Sequence, residues 1–329
     1  MTKSGSELIS VVVPLYNEAD GLGSFHKSLL NNIQKVAKDD YEIIYCDDGS
    51  SDNSAELVRQ FRHDDSRIKL ISFSRNFGKE SALSAGIAAA NGKAIITLDG
   101  DGQHPVELLP EFVKAWQGGA QVVVGICINR RSDSWLKRLG SRLFYSVFNR
   151  LTGQKLLPGM TDFRLMDRAV QKAFVDLPEI DRVTRGLIDW LGFRRAQVEY
   201  EENARKSGTP GYNLSSLTRL AANSFVSLTP VPLYLFGWLG VLITLGSFLL
   251  GSAVIIEQLL LGDPWHWKFT GTAMLSIMLL FLVGVILLSQ GILSLYISHI
   301  HSQSKGRPLF VIDYNASAGI SEPGGQHAS

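Results

Sequence analysis

Two carboxylates one residue apart, Asp99 and Asp101, stand in the run Leu98-Asp-Gly-Asp-Gly-Gln-His-Pro105. With only a glycine between them, both can turn toward one cation. Hard oxygen donors of this kind suit Mg²⁺ or Mn²⁺, ions that keep waters and bind substrate phosphates. Gln103 can add a carbonyl oxygen. The same composition also makes a polar turn with a capping Asp, so the metal reading gains its weight from three further polar clusters. Asn17 and Glu18 follow one apolar run, Asp47 and Asp48 a second, Arg75 and Asn76 a third. Asp48 is placed to accept hydrogen bonds from a ribose or a base, and Asp47 is left open. Asp52 or Ser51 has the position of a helix N-cap. Arg75-Asn-Phe-Gly-Lys79 opens a helix, and its first N–H groups with Lys79 suit an anion. An ordinary surface helix start fits those residues equally.

A fifth cluster is Gly159-Met-Thr-Asp-Phe-Arg-Leu165, which sets Asp162 and Arg164 in an otherwise apolar segment. A structural ion pair is one reading. The other has Asp162 orienting an acceptor while Arg164 neutralises a phosphate. Around it lies a basic patch: residues 128–172 hold ten Lys or Arg against three Asp. Such a patch suits phosphates or an anionic membrane surface. Within it, 135–151 reads either as an amphipathic helix at a membrane surface or as a helix packed on a sheet.

The elements that must position these side chains follow from hydrophobic patterning. Apolar, β-rich runs at 9–15, 41–46, 68–73, 94–98 and 121–126 alternate with helical patterns near 20–37, 54–63, 79–91 and 106–117. Continuous apolar strands separated by helices imply an α/β domain with a mostly parallel sheet covered on both faces. Ligands of such sheets bind beyond the carboxyl ends of the strands, where four of the polar clusters fall. Two common nucleotide motifs are absent. The stretch 86–94 has the wrong glycine spacing for a P-loop, and Gly21-Leu-Gly23 lacks the third glycine of a dinucleotide fingerprint.

Net charge names no partner, since 32 basic residues meet 31 acidic ones. The two cysteines, Cys46 and Cys127, lie in apolar runs, read as reduced core thiols and build neither a disulfide framework nor a zinc site. No signal-peptide pattern opens the chain, so the first 225 residues are expected in the cytoplasm. Residues 233–256 and 269–298 contain no charged side chain. Each exceeds the roughly 20 apolar residues that cross a ~30 Å hydrocarbon core. Arg205, Lys206 and Arg219 before the first run and Lys305 and Arg307 after the second put both ends on the cytoplasmic side. Trp238, Trp265, Trp267 and Tyr296 fall near the interfaces. The domain bounds expected are 1–205 for the α/β domain, 206–231 for a juxtamembrane segment, 232–300 for two spans and 301–329 for a cytoplasmic tail. The Ala/Gly/Ser-rich part of that tail, after Asp313, is expected to be disordered.

The ordered set VVVPLYNEAD (11–20), CDDGSSDNS (46–54), SRNFGKESALSAG (74–86), LDGDGQHP (98–105) and TDFRLMDR (161–168), followed by two apolar runs, resembles the polyisoprenyl-phosphate glycosyltransferases of inverting family 2. That family includes dolichol-phosphate mannose synthases and bactoprenol glucosyltransferases. The resemblance implies a GT-A fold, Rossmann-like, followed by two transmembrane helices in the bacterial inner membrane, with the catalytic domain cytoplasmic. It implies that Pro14, Tyr16, Asn17, Glu18, Asp48, Lys79 and Asp99 hold a nucleotide sugar, and that Asp99, Asp101 and Gln103 bind Mg²⁺ or Mn²⁺ with the diphosphate. Asp101, Asp162 and Arg164 would serve the reacting centre. Arg130, Arg131, Lys137, Arg138, Arg205 and Tyr212 would meet a lipid phosphate, with Gly208–Tyr212 in a mobile segment. Arg130 is the first arginine after the fifth strand, where related sequences place one earlier.

The RNFGKE run leans toward the bacterial glucosyl branch, hence UDP-glucose, undecaprenyl phosphate and an inverting displacement. Partners implied are the nucleotide sugar, the polyprenyl phosphate and the membrane, with a homotetramer suggested and no nucleic acid. Mannosyl or aminosugar transfer to the same lipid is the alternative within the class. A membrane-anchored nucleotide-sugar binder without catalysis is the alternative outside it. A processive polysaccharide synthase is disfavoured, because no Arg-Trp dipeptide occurs.

Overall fold

The computed structural model describes residues 7–129, 160–179, 182–201, 242–243, 245–246, 249 and 271–320. The chain divides into two compact units, Met1–Gly211 with Arg307–Ser329, and Tyr212–Gly306.

The first unit is built on a seven-stranded sheet: β1 Ile9–Leu15, β2 Tyr41–Asp47, β3 Ile68–Ser72, β4 Ala94–Thr97, β5 Val122–Asn129, β6 Met160–Asp167 and β7 Arg195–Glu201, in the order β3-β2-β1-β4-β6-β5-β7. Strands β1 to β4 pair in parallel, as their unbroken apolar runs predict. Every residue of β1, β2 and β4 is buried, because each carries apolar side chains on both faces. On one face, Val11, Val13 and Leu15 of β1 pack with α1 Ala19–Ala37, α2 Ser54–Asp64 and α4 Leu109–Gln117. On the other, Val12, Ile44 and Ile95 meet α3 Lys79–Ala89, α5 Arg168–Val175 and α6 Thr184–Trp190. Helix α3 lies so close to the sheet that a Cβ on Gly86 would collide with Val12 and Cys46. Both cysteines are free and buried, as expected.

Strands β6 and β7 were not among the expected five. β6 runs antiparallel to both β4 and β5, and β7 pairs with β5 in parallel. β7 sits at the sheet edge and alternates exposed and buried positions at its end, so it lacks a continuous apolar run. β6 carries Asp162 and Arg164 inside the sheet, and those charges hide its strand character from a hydrophobicity reading.

The tail also departs from expectation. The segment 307–320 is ordered against the free edge of β3, with bridges Leu70 to Ala318 and Phe73 to Ile312. Its apolar residues Phe310, Ile312 and Ile320 join the core on the α3 face. Small and polar residues here permit close backbone pairing at an open strand edge, which composition alone reads as disorder.

In the second unit, α7 Gly271–Ser304 is a continuous helix of 34 residues. Several of its described apolar side chains stand exposed, among them Leu275, Leu279, Val283 and Ile286. Taken over the described residues, no helix counts as long and apolar enough to cross a membrane. The other expected span, 233–256, lies outside the described residues apart from 242, 243, 245, 246 and 249.

Candidate functional site

Four loops meet at the carboxyl edge of the parallel strands, and hydrogen bonds between loops define their shape. After β1, Asn17 takes a positive φ of 54°. Its N–H donates to Ser50 Oγ at 2.9 Å, and its side-chain oxygen accepts from Ser51 N at 2.8 Å. Glu18 N donates to Ser54 Oγ at 2.9 Å. Asp52 accepts from Ser54 N and from Ala19 N, both at 3.0 Å, and so ties the start of α2 to the start of α1, while the N-cap position of α2 falls to Asn53, one residue beyond the expected Ser51 or Asp52. Tyr16 leaves this stapled region with 49% of its surface exposed, a free aromatic face at the rim, while Pro14 is buried in β1 opposite Cys46.

The second loop grips the third. Asp48 is buried, and its carboxylate accepts from Phe77 N at 2.6 Å and from Gly78 N at 2.9 Å. Burial pushes its pKa up, against those amide donors. Gly49 has φ +70°, and a Cβ there would lie 2.6 Å from the Arg75 carbonyl carbon, so a side chain cannot enter this backbone crossing. Asp47 accepts from Ser50 N and Ser72 Oγ and is a structural residue of the β2 end. Gly78, at φ +100°, then turns the chain so that Lys79 begins α3.

Lys79 is the centre of the arrangement. Its Nζ lies 2.6 Å from Asp99 Oδ1 and 2.7 Å from Asp162 Oδ2. Antiparallel pairing explains why these two carboxylates meet. Thr97 of β4 is opposite Arg164 of β6, so Asp99, two residues beyond, comes beside Asp162, two residues before. Thr97 Oγ1 donates to the Asp162 carbonyl at 2.6 Å and locks that register. Arg185 Nε approaches Asp162 Oδ1 at 3.7 Å. Burial alone would raise the pKa of Asp162, but Lys79 and then Arg185 outweigh it and hold this carboxyl well below the usual range. Burial likewise disfavours the Lys79 ammonium, yet Asp99 and Asp162 together push its pKa up. Lys79 and Asp162 therefore hold each other in their charged forms.

Three neighbouring contacts fix its geometry. His104 is buried, stacks on Phe163 at 5.4 Å, and accepts from Asp99 N through Nδ1 at 3.0 Å. With Nδ1 accepting, the proton is assigned to Nε2. Asp101 Oδ1 accepts from Gln103 N at 3.0 Å, closing the Asp-Gly-Asp-Gly turn. Glu80 accepts from Thr184 N at 2.8 Å and so holds the start of α6, which carries Arg185. Burial pushes the Glu80 carboxyl up, and Asp162 adds to that.

Arg164 goes elsewhere. It is 1% exposed, and its guanidinium contacts the Thr161 and Arg185 carbonyls and Asp189 Oδ1 at 3.3 Å. The ion-pair reading of the TDFRL segment thus holds for Arg164 with a different acid than expected. Arg130, Arg131, Lys137, Arg138, Arg205 and Tyr212, expected at a lipid phosphate, lie outside the described residues, as does 135–151. Arg185, Glu80 and His104 were not singled out from the sequence. His104 stood inside the quoted motif, whereas nothing in the spacing of Arg185 pointed to Asp162.

The donor set fits a divalent cation in an open manner. Asp99 and Asp101 sit on one tight loop and offer hard oxygens, with Asp99 partly solvent-accessible. Among the described residues no three His, Cys, Asp or Glu converge as a closed cage. An ion there would complete its shell with waters and phosphate oxygens, as Mg²⁺ prefers.

Comparison with known proteins now bears on this edge. The family described as Glycosyl transferase family 2 matches residues 10–174, which span four loops and Asp162. A bactoprenol glucosyl transferase of Shigella phage SfV is 35% identical over 304 residues, covering 92% of this chain and 97% of that one. A glycosyltransferase of Synechocystis is 36% identical over 304 residues, covering 92% and 94%. An SfII prophage-derived bactoprenol glucosyl transferase of Shigella flexneri is 34% identical, covering 92% and 97%. Among solved structures, glucosyl-3-phosphoglycerate synthase from Mycobacterium tuberculosis aligns with a TM-score of 0.46 at 23% identity, over 69% of this chain and 80% of that one, too slight a likeness to transfer any residue's role.

Proposed function

The chain belongs to glycosyl transferase family 2, and we propose that it moves glucose from UDP-glucose to a polyprenyl phosphate at a membrane surface, with inversion at the anomeric carbon. The observation that carries this reading is the pair Asp99 and Asp162, brought from two strands to one ammonium at the rim of the sheet. Relatives named bactoprenol glucosyl transferase support the sugar and the class of acceptor. The uncharged runs 233–256 and 269–298 support two membrane spans in a bacterial cytoplasmic membrane, with the sheet domain on the cytoplasmic side.

Donor diphosphate and acceptor phosphate are both anionic, so their approach is the main electrostatic problem. Asp99, Asp101 and Gln103 would hold Mg²⁺ or Mn²⁺, whose charge offsets that of the leaving diphosphate. Tyr16 offers the nucleoside base an exposed ring, and Pro14, Asn17, Glu18 and Asp48 shape the wall beside it. Asp48 already serves two amides, and a carboxylate has acceptor capacity for a further donor. Lys79, at the start of α3 beside Asp99, would offer its ammonium to the donor phosphates. A phosphate acceptor is already ionised near neutral pH, so Asp162 orients and no strong base is needed. Arg130, Arg131, Lys137, Arg138, Arg205 and Tyr212 are proposed for the acceptor phosphate. Arg164, sealed against Asp189, supports the strand from below.

The test is incubation of the full chain in detergent with labelled UDP-glucose, undecaprenyl phosphate and Mn²⁺, followed by lipid extraction. A labelled, acid-labile lipid monosaccharide is expected. Polymer, or water-soluble label alone across a panel of nucleotide sugars, would refute the reading.

A further inference from the structure

We propose that the C-terminal segment 307–320 is a positioning element of the site, a clamp on the loop that delivers Lys79, with Phe310 as its anchor. Strand β3 ends the sheet, and this segment pairs along it. Leu70 and Ala318 exchange two backbone hydrogen bonds of 2.9 Å, and Asp313 N donates to Ser72 O at 2.8 Å. Asp313 shapes the turn that makes this pairing possible, because its Oδ1 accepts from Asn315 N and Ala316 N.

Edge cover would need no more than that, but the contacts continue past β3 into the loop. Ser74 N donates to Val311 O at 3.0 Å, just before Arg75. Ser81 Oγ, just after Lys79, lies 3.4 Å from Leu309 O and 3.2 Å from Phe77 O. Phe310 stacks on Phe73 at 5.0 Å, and Phe73 meets Phe77 edge-on at 5.8 Å. Phe77 and Gly78 supply the amides that Asp48 grips. The loop is thus held at both shoulders by the segment and at its middle through a chain of three rings. On the opposite side its partner is Asp48. Loss of the ring at 310 removes one wall of this vise, and Lys79 loses its fixed reach to Asp99 and Asp162.

The clamp rests on geometry alone, and its consequence for donor binding rests on the function proposed above. The test uses the full chain with Phe310→Ala and Phe310→Tyr, read by hydrogen exchange with mass spectrometry and by calorimetry with UDP-glucose and Mn²⁺. In Phe310→Ala, exchange in peptides covering 75–80 is expected to rise at least ~10-fold, with β1 and β4 unchanged, because the amide bonds to Asp48 open more often. UDP-glucose affinity should fall roughly ten-fold in parallel, since a binding-competent loop populated one tenth as often weakens binding by that factor. Phe310→Tyr keeps the stack and should restore both. Faster exchange confined to 68–72, with 75–80 unaffected, would reduce the segment to an edge cover and overturn the proposal. Should Phe310→Ala fail to fold, Asp313→Ala loosens the turn while leaving the core intact and is read in the same way. If the unmodified chain binds no UDP-glucose, the sugar assignment fails, while exchange at 75–80 still decides the clamp.

Discussion

Asp162 and Arg164 sit two residues apart on the same face of β6, yet they belong to different worlds. Asp162 lies at the rim, shared by Lys79 and Arg185 beside Asp99. Arg164, roughly 7 Å further along the strand, is sealed beneath it against Asp189. Arg185 serves both, its side chain facing Asp162 and its carbonyl accepting from Arg164. For Arg164 and Asp189 burial outweighs attraction, lowering the pKa of one and raising that of the other. For Asp162 attraction outweighs burial. Depth below the rim, more than residue type, separates a charge available to ligands from one that organises the interior.

The sharpest way to break this contrast is to neutralise each side. Asp162→Asn and Asp101→Asn should each lower transfer by about 10²–10³-fold, the usual loss when a preorganised electrostatic group is removed. Near-UV circular dichroism should stay native, and normal turnover in either variant would remove that residue from the reacting centre. Arg164→Met should instead act on stability, costing about 3–5 kcal/mol, as breaking a buried pair leaves Asp189 uncompensated. Denaturant unfolding measures it, and adding Asp189→Leu should recover most of the loss. A well-folded Arg164→Lys without activity would place Arg164 back at the acceptor.

pH sharpens the comparison further. The folded pKa of Asp162 is depressed, so its contribution to stability is complete above the unfolded value of about 4. It is lost as pH falls through the folded value. Lys79 has a raised folded pKa, so its contribution is complete below about 10.4 and is lost only above that. The difference in melting temperature between the unmodified chain and Asp162→Asn should therefore be flat from about pH 5 to 9 and shrink in stronger acid. A slope near neutrality would contradict the ionised cluster. The smallest effect is expected at Asp52, a rim charge that holds Ala19 N and Ser54 N. Asp52→Ala should cost about 1 kcal/mol, the usual net worth of a hydrogen bond at a protein surface, with transfer per folded molecule unchanged.

Much of the fold was legible. The strands at 9–15, 41–46, 68–73 and 94–98 appear within a residue or so at each end, because parallel core strands need apolar side chains on both faces. The polar clusters at four strand ends converge on one edge, as a parallel sheet requires. β6 was opaque, since its charges break the apolar run that marks a buried strand. The tail was opaque too, because Ala, Gly and Ser say little until a strand edge is available to pair with.

By itself, then, the sequence determined the alternation of elements, the edge at which polar residues gather, the carboxylates of the Asp-Gly-Asp turn and two uncharged runs. Those are local properties, set by side-chain periodicity and turn chemistry. Only the tertiary structure decided that Asp162 meets Asp99 and Lys79, that Arg164 turns inward to Asp189, and that residues 307–320 close the β3 edge. Each of these depends on register between segments distant in the chain, and register is settled by the backbone hydrogen bonds of a sheet, not by any pattern within one segment.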